Sequence, residues 1–408
     1  NDVSTEFCLF GSCNIKYVGE LIAENADSIC RLFYGNQSII SIDRLYYKGD
    51  SSANWNGFRY MFINCSNLEY IGMIESPCNI GVNLKEQSFT GCNKLRCIEG
   101  LNFKIVGLGA CFSGLQSLEY VNFPEKVYCT EMQNGFSNCP NIDITKIKIP
   151  QGITNINGLF DSKDFSATPN IVWDVSYLER SVNMSYIFRN CTGIKSLTIK
   201  YPNIETLMPY IYAFNNTNSN LEKVIAIFGD KTKTLKMEPN CNWGMTFSPG
   251  IPPKELHEAQ MPNVETIITD SQSVLFSYNT YIVLPKELRG LNLNAWSNAI
   301  NSNLADSTKP DDSKTLYLFY YNNQIEGTDS DGNEYPKINI TNITGELTCN
   351  FKEGYYGGDK PWNQDSLNDF ISHFGDVTAL GGRTASGIKK QLTDEQIAEL
   401  TAKGWTIA

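Results

Sequence analysis

Histidine is scarce in this chain: its 408 residues hold two, His257 and His373, whereas a serine or cysteine nucleophile usually needs an imidazole beside it as base. His257 stands in a polar stretch, PPKELHEAQ, and His373 in an amphipathic one, SLNDFISHFGD, so neither adjoins a plausible nucleophile. The 13 cysteines offer metal ligation, yet no CxxC pair occurs, and a zinc site needs four ligands that converge. Asp329, Asp331 and Asn333 alternate like the oxygen ligands of a calcium loop, but position 340, where the bidentate glutamate should fall, is Ile. Asp, Gly and Asn at 329–334 read instead as a hairpin turn before KINITNI. The 44 acids contain many possible carboxylate pairs, and no local motif selects one. Nothing here asks for a cofactor or a metal.

The elements that would position any site are written in a repeat. A phenylalanine followed three residues later by Cys or a similar residue, and six later by Leu or Ile, recurs along the chain. The fullest copies are Phe62/Cys65/Leu68, Phe89/Cys92/Leu95, Phe112/Leu115/Leu118, Phe136/Cys139/Ile142 and Phe188/Cys191/Ile194, with weaker ones at Phe10, Phe33, Phe160 and Phe214. Successive anchors lie 23, 29, 27, 23, 24, 24, 28 and 26 residues apart. After each comes a strand-like run, often closed by proline, as in Ile147, Ile149, Pro150, Ile153 and Ile156, or Ile282, Leu284, Pro285, Leu288 and Leu291. Proline ends a strand because it has no N–H for the ladder. Val264 to Ile267 in MPNVETII echoes Ile204 to Leu207 in YPNIETL. One such unit cannot bury its inner face alone, but a stack can. A β-sandwich would have no reason to repeat Phe, Cys and Leu at fixed offsets.

These residues resemble the BspA-like leucine-rich repeats, whose units read roughly apolar-x-x-I-x-I-P-x-x-V-x-x-I followed by A-F-x-x-C-x-x-L. The resemblance spans about residues 8 to 320 and breaks at 161–173, where DSKDFSATPNIVW replaces the Cys step, and at about 229–262 and 302–315. It implies a leucine-rich-repeat solenoid over 1–345, irregular from about 229, with one parallel sheet of short strands and irregular or short helical returns. Residues 346–408 are expected to be a small C-terminal cap. Leu367, Phe370, Ile371 and Phe374, then Leu392, Ile397 and Leu400, fall at helical offsets, and Thr393 with Gln396 makes a capping box ahead of a Gly404 stop. The tail LTDEQIAELTAKGWTIA is similar to the C-terminal segment of leucine-rich-repeat proteins of gut bacteria and their bacteriophages.

Cys65, Cys92, Cys139 and Cys191 share one repeat position, so they are expected to point into the coil as small apolar groups and stay reduced. Asn-x-Ser/Thr sequons at Asn64 and Asn190 lie inside the repeat and are attributed to coil geometry. Residues between the inward positions face out, and this register places Tyr70, Glu99, Tyr120, Asn122, Lys146, Lys148 and Tyr281 on the open sheet face. Tyr70 and Tyr120 flank Cys97 there as a contact patch. Trp55 and Trp243, in polar insertions, are further binding candidates.

Lysine and arginine number 33 against 44 acids, a net charge of −11, with the basic residues scattered singly. That speaks against nucleic acid as a partner, and no apolar run is long enough to span a membrane. The chain starts at Asn1 without the pattern of a signal peptide, so an export signal is expected to precede it. The function expected is a non-catalytic, extracellular interaction or adhesion protein on a bacterial surface, binding a protein or glycan through the sheet face and insertions. The alternatives are a bacteriophage virion component docking onto other virion proteins, and a carboxylate-based glycan-active enzyme.

Overall fold

A computed structural model describes residues 8–24, 29–48, 60–77, 81–84, 88–209, 221–236, 253–268, 274–276, 286–309, 311–319, 337–354 and 362–408. The chain divides into two compact units, residues 1–167 with 182–192, and residues 168–181 with 193–408.

In the first unit the Phe anchors form a spine. Phe10, Phe33, Phe62, Phe89, Phe112, Phe136, Phe160 and Phe188 stack in succession with ring centroids 5.3 to 6.2 Å apart. The seven from Phe33 onward are fully buried. Each coil bends sharply around its anchor, and the backbone turns left-handed two residues before it, at Arg31, Tyr60, Ala110, Asn134, Gly158 and Tyr186. It does so again two residues after it, at Gly35, Asn64, Gly91, Gly114, Asn138, Ser162 and Asn190. Gly and Asn tolerate that conformation best, which explains why the second position is so often one or the other. Asn64 and Asn190 of the sequons sit in these turns. The turns aim backbone groups along the stack: Phe33 N–H reaches Met61 O at 3.1 Å, and Phe136 N–H reaches Leu159 O at 2.9 Å.

The cysteines expected to line the interior do so, and Cys65, Cys92, Cys139 and Cys191 are fully buried. Each thiol also donates to the carbonyl of an earlier anchor, Cys65 to Phe33, Cys92 to Phe62, Cys139 to Phe112 and Cys191 to Phe160, at 2.9 to 3.1 Å. The described cysteines are free thiols. Lys163 stands at the Cys position in the Phe160 coil and extends its ammonium to Pro140 O at 2.6 Å.

Parallel strands form one side of these coils. β1 (Tyr17–Ala23), β2 (Ser41–Tyr47), β3 (Tyr70–Glu75), β5 (Cys97–Asn102) and β7 (Tyr120–Val121) make a five-stranded sheet in that order. The pairing aligns Ile42, Ile71, Ile98 and Val121 as one inward column and Leu45, Ile74 and Leu101 as another. β4 (Val82–Asn83) and β6 (Ile105–Gly107) pair separately.

Among the described residues the second unit carries three parallel sheets. In the largest, β8 (Asn170–Asp174), β9 (Ser196–Lys200), β11 (Lys223–Ile227), β13 (Leu256–Gln260), β16 (Glu287–Arg289) and β18 (Ile340–Thr341) lie side by side. β10 (Thr206–Leu207), β12 (Thr234–Lys236) and β14 (Thr266–Ile268) form the next, in which Leu207, Leu235 and Ile267 align. The YPNIETL and MPNVETII segments are therefore equivalent steps of neighbouring coils. The third contains β15 (Val274–Phe276), β17 (Leu316–Phe319), β19 (Phe351–Lys352), β20 (Arg383–Ser386) and β21 (Trp405–Ile407). Among the described residues the parallel strands thus divide among five sheets where a single sheet was expected. Thr266 and Ile268 belong to a different sheet from Lys223 and Ile225.

Three α-helices occur among the described residues. α1 (Leu293–Ala305) follows β16 and is capped by Asn292, whose Oδ1 accepts from Ala295 N at 3.1 Å. It packs on β14, and Leu293, Trp296, Ala299 and Ile300 form its buried face. α2 (Gln364–Ser372) and α3 (Asp394–Ala402) are the two C-terminal helices anticipated. The capping box forms as expected: Gln396 N–H donates to Thr393 Oγ1 at 3.2 Å, and Thr393 N–H to Gln396 Oε1 at 2.9 Å. Strands β20 and β21 alternate with these helices, so the C-terminal segment also adds edges to a parallel sheet.

Candidate functional site

Tyr70, Cys97 and Tyr120 lie opposite one another on β3, β5 and β7, all half-buried. Two strand positions along, Glu99 and Asn122 continue the row. The Tyr120 phenol donates to a Glu99 carboxylate oxygen, and Asn122 Nδ2 donates to Glu99 O at 3.0 Å. The hydrogen bond to Glu99 is the foremost reason the Tyr120 phenol titrates above its ordinary range. Tyr70 is raised too, by desolvation first and then by the Glu99 charge.

Beyond β7 the sheet stops. In five coils the two inward positions before and inside the strand are three residues apart: Ile39 and Ile42, Leu68 and Ile71, Leu95 and Ile98, Leu118 and Val121, Ile194 and Leu197. In the Phe136 coil the equivalent pair is Ile142 and Ile147, and the two extra residues are taken up by a 3-10 turn at Ile144–Lys146. Asp143 caps it, its carboxylate accepting Thr145 N–H at 3.0 Å and Thr145 Oγ1 at 2.6 Å. Short Asp and Thr side chains compete for backbone partners in this way, and the ladder loses. Lys146 and Lys148, read as a strand pair, are therefore on a turn and the extended segment after it.

The result is a groove of about 630 Å³ lined by Glu99, Tyr120, Val121, Asn122, Phe123, Thr145, Lys146 and Lys148. The Lys146 ammonium lies 4.8 Å from the centre of the Tyr120 ring, a cation–π distance, and 3.9 Å from Asp143 Oδ2. Lys148 is exposed and has no ion-pair partner among the described residues. Five of the nine candidate residues thus meet in one depression. Tyr70 is on the same sheet two strands away. Tyr281, Trp55 and Trp243 lie outside the described residues, as does the 329–334 turn.

The histidines take structural posts. His257, read as part of an insertion, is in β13, where it aligns with Val224 and Leu288 in an otherwise apolar inward column. The polar surroundings PPKELHEAQ concealed a strand whose other inward residue, Ala259, is small. His373 ends α2, with Nδ1 2.7 Å from Gly345 O. Among the described residues no group of three or more His, Cys, Asp or Glu side chains is placed to hold a metal ion. No described helix is long and apolar enough to cross a membrane.

Sequence reasoning missed a second depression, of about 400 Å³, in the second unit. Ile227, Phe228, Gln260, Met261, Gly290 and Asn342 are among its lining, past the ends of β11, β13 and β16. The one local signal is Gly290, whose φ of +90° and closeness to Ala259 O leave no room for a side chain.

The spine from Phe62 onward and the first groove fall where a family model matches. Residues 58–164 and 85–220 match the BspA type leucine rich repeat region, in six copies. Residues 58–220 form a BspA-type leucine-rich repeat region. No curated protein and no solved structure matches the chain. Repeat regions of the BspA type are generally linked to surface adhesion or binding and are typically non-catalytic. The groove, between residues 99 and 148, is a local departure from the regular BspA-type coil.

Proposed function

We propose that this chain is a non-catalytic adhesion protein, working outside the cell on a bacterial surface, which holds a protein or glycan ligand in the Tyr120–Lys146 groove. The observation that carries this reading is the conjunction of an aromatic face, two lysines and a broken sheet in a chain of net charge −11. Tyrosine gives contact area at small entropic cost, and lysine adds steering toward an opposite charge. The enzyme alternative is weaker, because glycoside hydrolysis uses two carboxylates and the groove lining offers one, Glu99, already engaged by Tyr120.

The test presents the purified chain to arrays of polysaccharides and extracellular proteins. Saturable binding that falls at least tenfold in a Tyr120→Ala/Lys146→Ala variant is the expected result. Turnover of any glycan, or binding indifferent to both substitutions, overturns the reading. The alternative is a virion appendage, as the resemblance of the C-terminal tail to leucine-rich-repeat proteins of gut bacteria and their phages would imply. Labelling the chain on source cells and on purified particles separates the two.

A further inference from the structure

Resting on the adhesion reading of the groove, we infer that its ligand is an acidic saccharide, a sugar unit carrying a carboxylate or a sulfate ester. The groove is a gap in the seam between two neighbouring coils. Asp143 N–H bonds Glu119 O at 2.7 Å at one end of it. At the other end Gln151 N–H bonds Glu125 O at 2.8 Å, and Val127 N–H bonds Gln151 O at 2.9 Å. Between these points no backbone bond joins residues 120–123 to 144–148 among the described residues. Val121 lines the gap and is itself fully buried.

Peptides are commonly held along a free strand edge or by an apolar anchor sunk in a pocket. The gap provides neither, because its seam is bonded at both ends and Val121 is already packed away from solvent. Recognition falls to side chains: the Tyr120 ring, the Asn122 amide, the Thr145 hydroxyl and two ammonium groups. One flat ring among several hydrogen-bonding groups suits a compact ligand rich in hydroxyls. Asn122 Nδ2 is held by Glu99 O at 3.0 Å, which turns the amide and leaves its oxygen to accept from a sugar hydroxyl.

Charge narrows the choice further. The single lining carboxylate, Glu99, accepts the Tyr120 phenol, and the Asp143 carboxylate beside the gap accepts both the N–H and the hydroxyl of Thr145. Lys146 stands over the Tyr120 ring at 4.8 Å, and exposed Lys148 has no ion-pair partner among the described residues. The acids are thus engaged within the protein while two cations front the opening, in a chain whose net charge is −11. An anionic substituent complements that arrangement, and ammonium groups meet carboxylate and sulfate oxygens alike.

The experiment measures binding of polygalacturonate, dextran sulfate, fully methyl-esterified pectin, dextran and polyglutamate to the intact chain by biolayer interferometry. Two variants are compared, Lys146→Gln/Lys148→Gln and Lys126→Gln, the latter an exposed lysine outside the groove lining. Circular dichroism and thermal melting establish that both are folded. Saturable binding of an acidic polysaccharide and not of its neutral counterpart is expected, weakening with added salt. It should fall at least tenfold in Lys146→Gln/Lys148→Gln and stay unchanged in Lys126→Gln. Polygalacturonate alone assigns a carboxylate, dextran sulfate alone a sulfate ester, and both together an anion of either kind. Polyglutamate bound as tightly, with the same lysine dependence, overturns the saccharide. An equal loss in Lys126→Gln overturns the groove as the place where the anion sits. If the chain ignores every acidic polysaccharide yet binds another ligand through Tyr120 and Lys146, this inference fails and the adhesion reading stands. If no ligand depends on those two residues, both fail.

Discussion

The Sγ of Cys139 lies 3.0 Å from the carbonyl oxygen of Phe112, the anchor of the coil before. This contact joins the cysteine ladder to the aromatic spine. The left-handed turns leave anchor carbonyls pointing along the stack, and a residue that is small, apolar and still a weak donor is what the position needs. Cys139→Ala would remove the thiol donor and leave that carbonyl only the longer bond from Leu115 N–H at 3.4 Å, and should lower stability by about 1 kcal/mol, with Cys139→Ser costing less. Urea unfolding of the two variants checks the order.

The same burial governs reactivity. Desolvation pushes the Cys139 thiol up to about 11 and the Cys191 thiol up to about 12. Thiolate is the reactive form, so both should resist a disulfide reagent at pH 8 in the native protein and react on unfolding. Exposed Cys8 and Cys13 should react at once. Rapid native labelling of Cys139 or Cys191, mapped by mass spectrometry, would refute the closed ladder.

Asn138 holds a φ of 56°, in the turn two residues after its anchor. Asn138→Ala should cost about 1 kcal/mol because a Cβ disfavours the left-handed region, whereas Asn138→Gly should be close to neutral. Equal thermal melting of the two variants would show that the turn relaxes.

Glu353 makes the C-terminal part of the chain sensitive to pH. It is 3% exposed, and it accepts from Gln391 Nε2 at 2.9 Å and Trp362 Nε1 at 3.3 Å. Burial outweighs these bonds and raises its carboxyl from 4.5 to about 7. The folded state thus prefers the protonated acid. Its contribution is complete below the unfolded pKa near 4.5 and is lost as pH rises through about 7, a change of the order of 3 kcal/mol. Denaturation monitored between pH 5 and 8.5 should show this decline, and Glu353→Gln should flatten it and be the more stable protein at pH 8. A wild-type profile as flat as that of the variant would rule the effect out.

The interruption after β7 can be tested by repairing it. Deleting Thr145 and Lys146 restores the three-residue step from Ile142 to Ile147 found in the regular coils. We expect the ladder to close and the Val121 amide to gain protection from hydrogen exchange, with ligand binding lost. If the Val121 amide stays unprotected, the turn is not the cause of the break.

Much of this was legible in the residues, and the exceptions share a cause. The Tyr70–Cys97–Tyr120 register follows from the constant offset between anchor and strand, and any row of a stacked repeat inherits it. The step from Ile142 to Ile147 was equally visible, but only the Asp143 bonds to Thr145 show the added residues wound into a turn instead of lengthening the strand. His257 was hidden by polar neighbours, since a column of coils can absorb one imidazole among Val224 and Leu288. In α1, Leu293, Trp296 and Ile300 have helical spacing, but a single helical turn pattern inside a strand-bearing repeat does not fix the element, and packing on β14 decides the outcome.

By itself, then, the order of residues determined the coil: its period, its Phe, Cys and Leu positions, the Gly and Asn of its turns and the helical character of its end, because these depend on neighbours within one repeat. The tertiary structure alone decided where the sheet breaks, that the Tyr120 phenol is tied to Glu99, that Lys146 covers its ring, and that Glu353 is shut away from water. Those features arise between coils, where distance is set by stacking and not by separation along the chain.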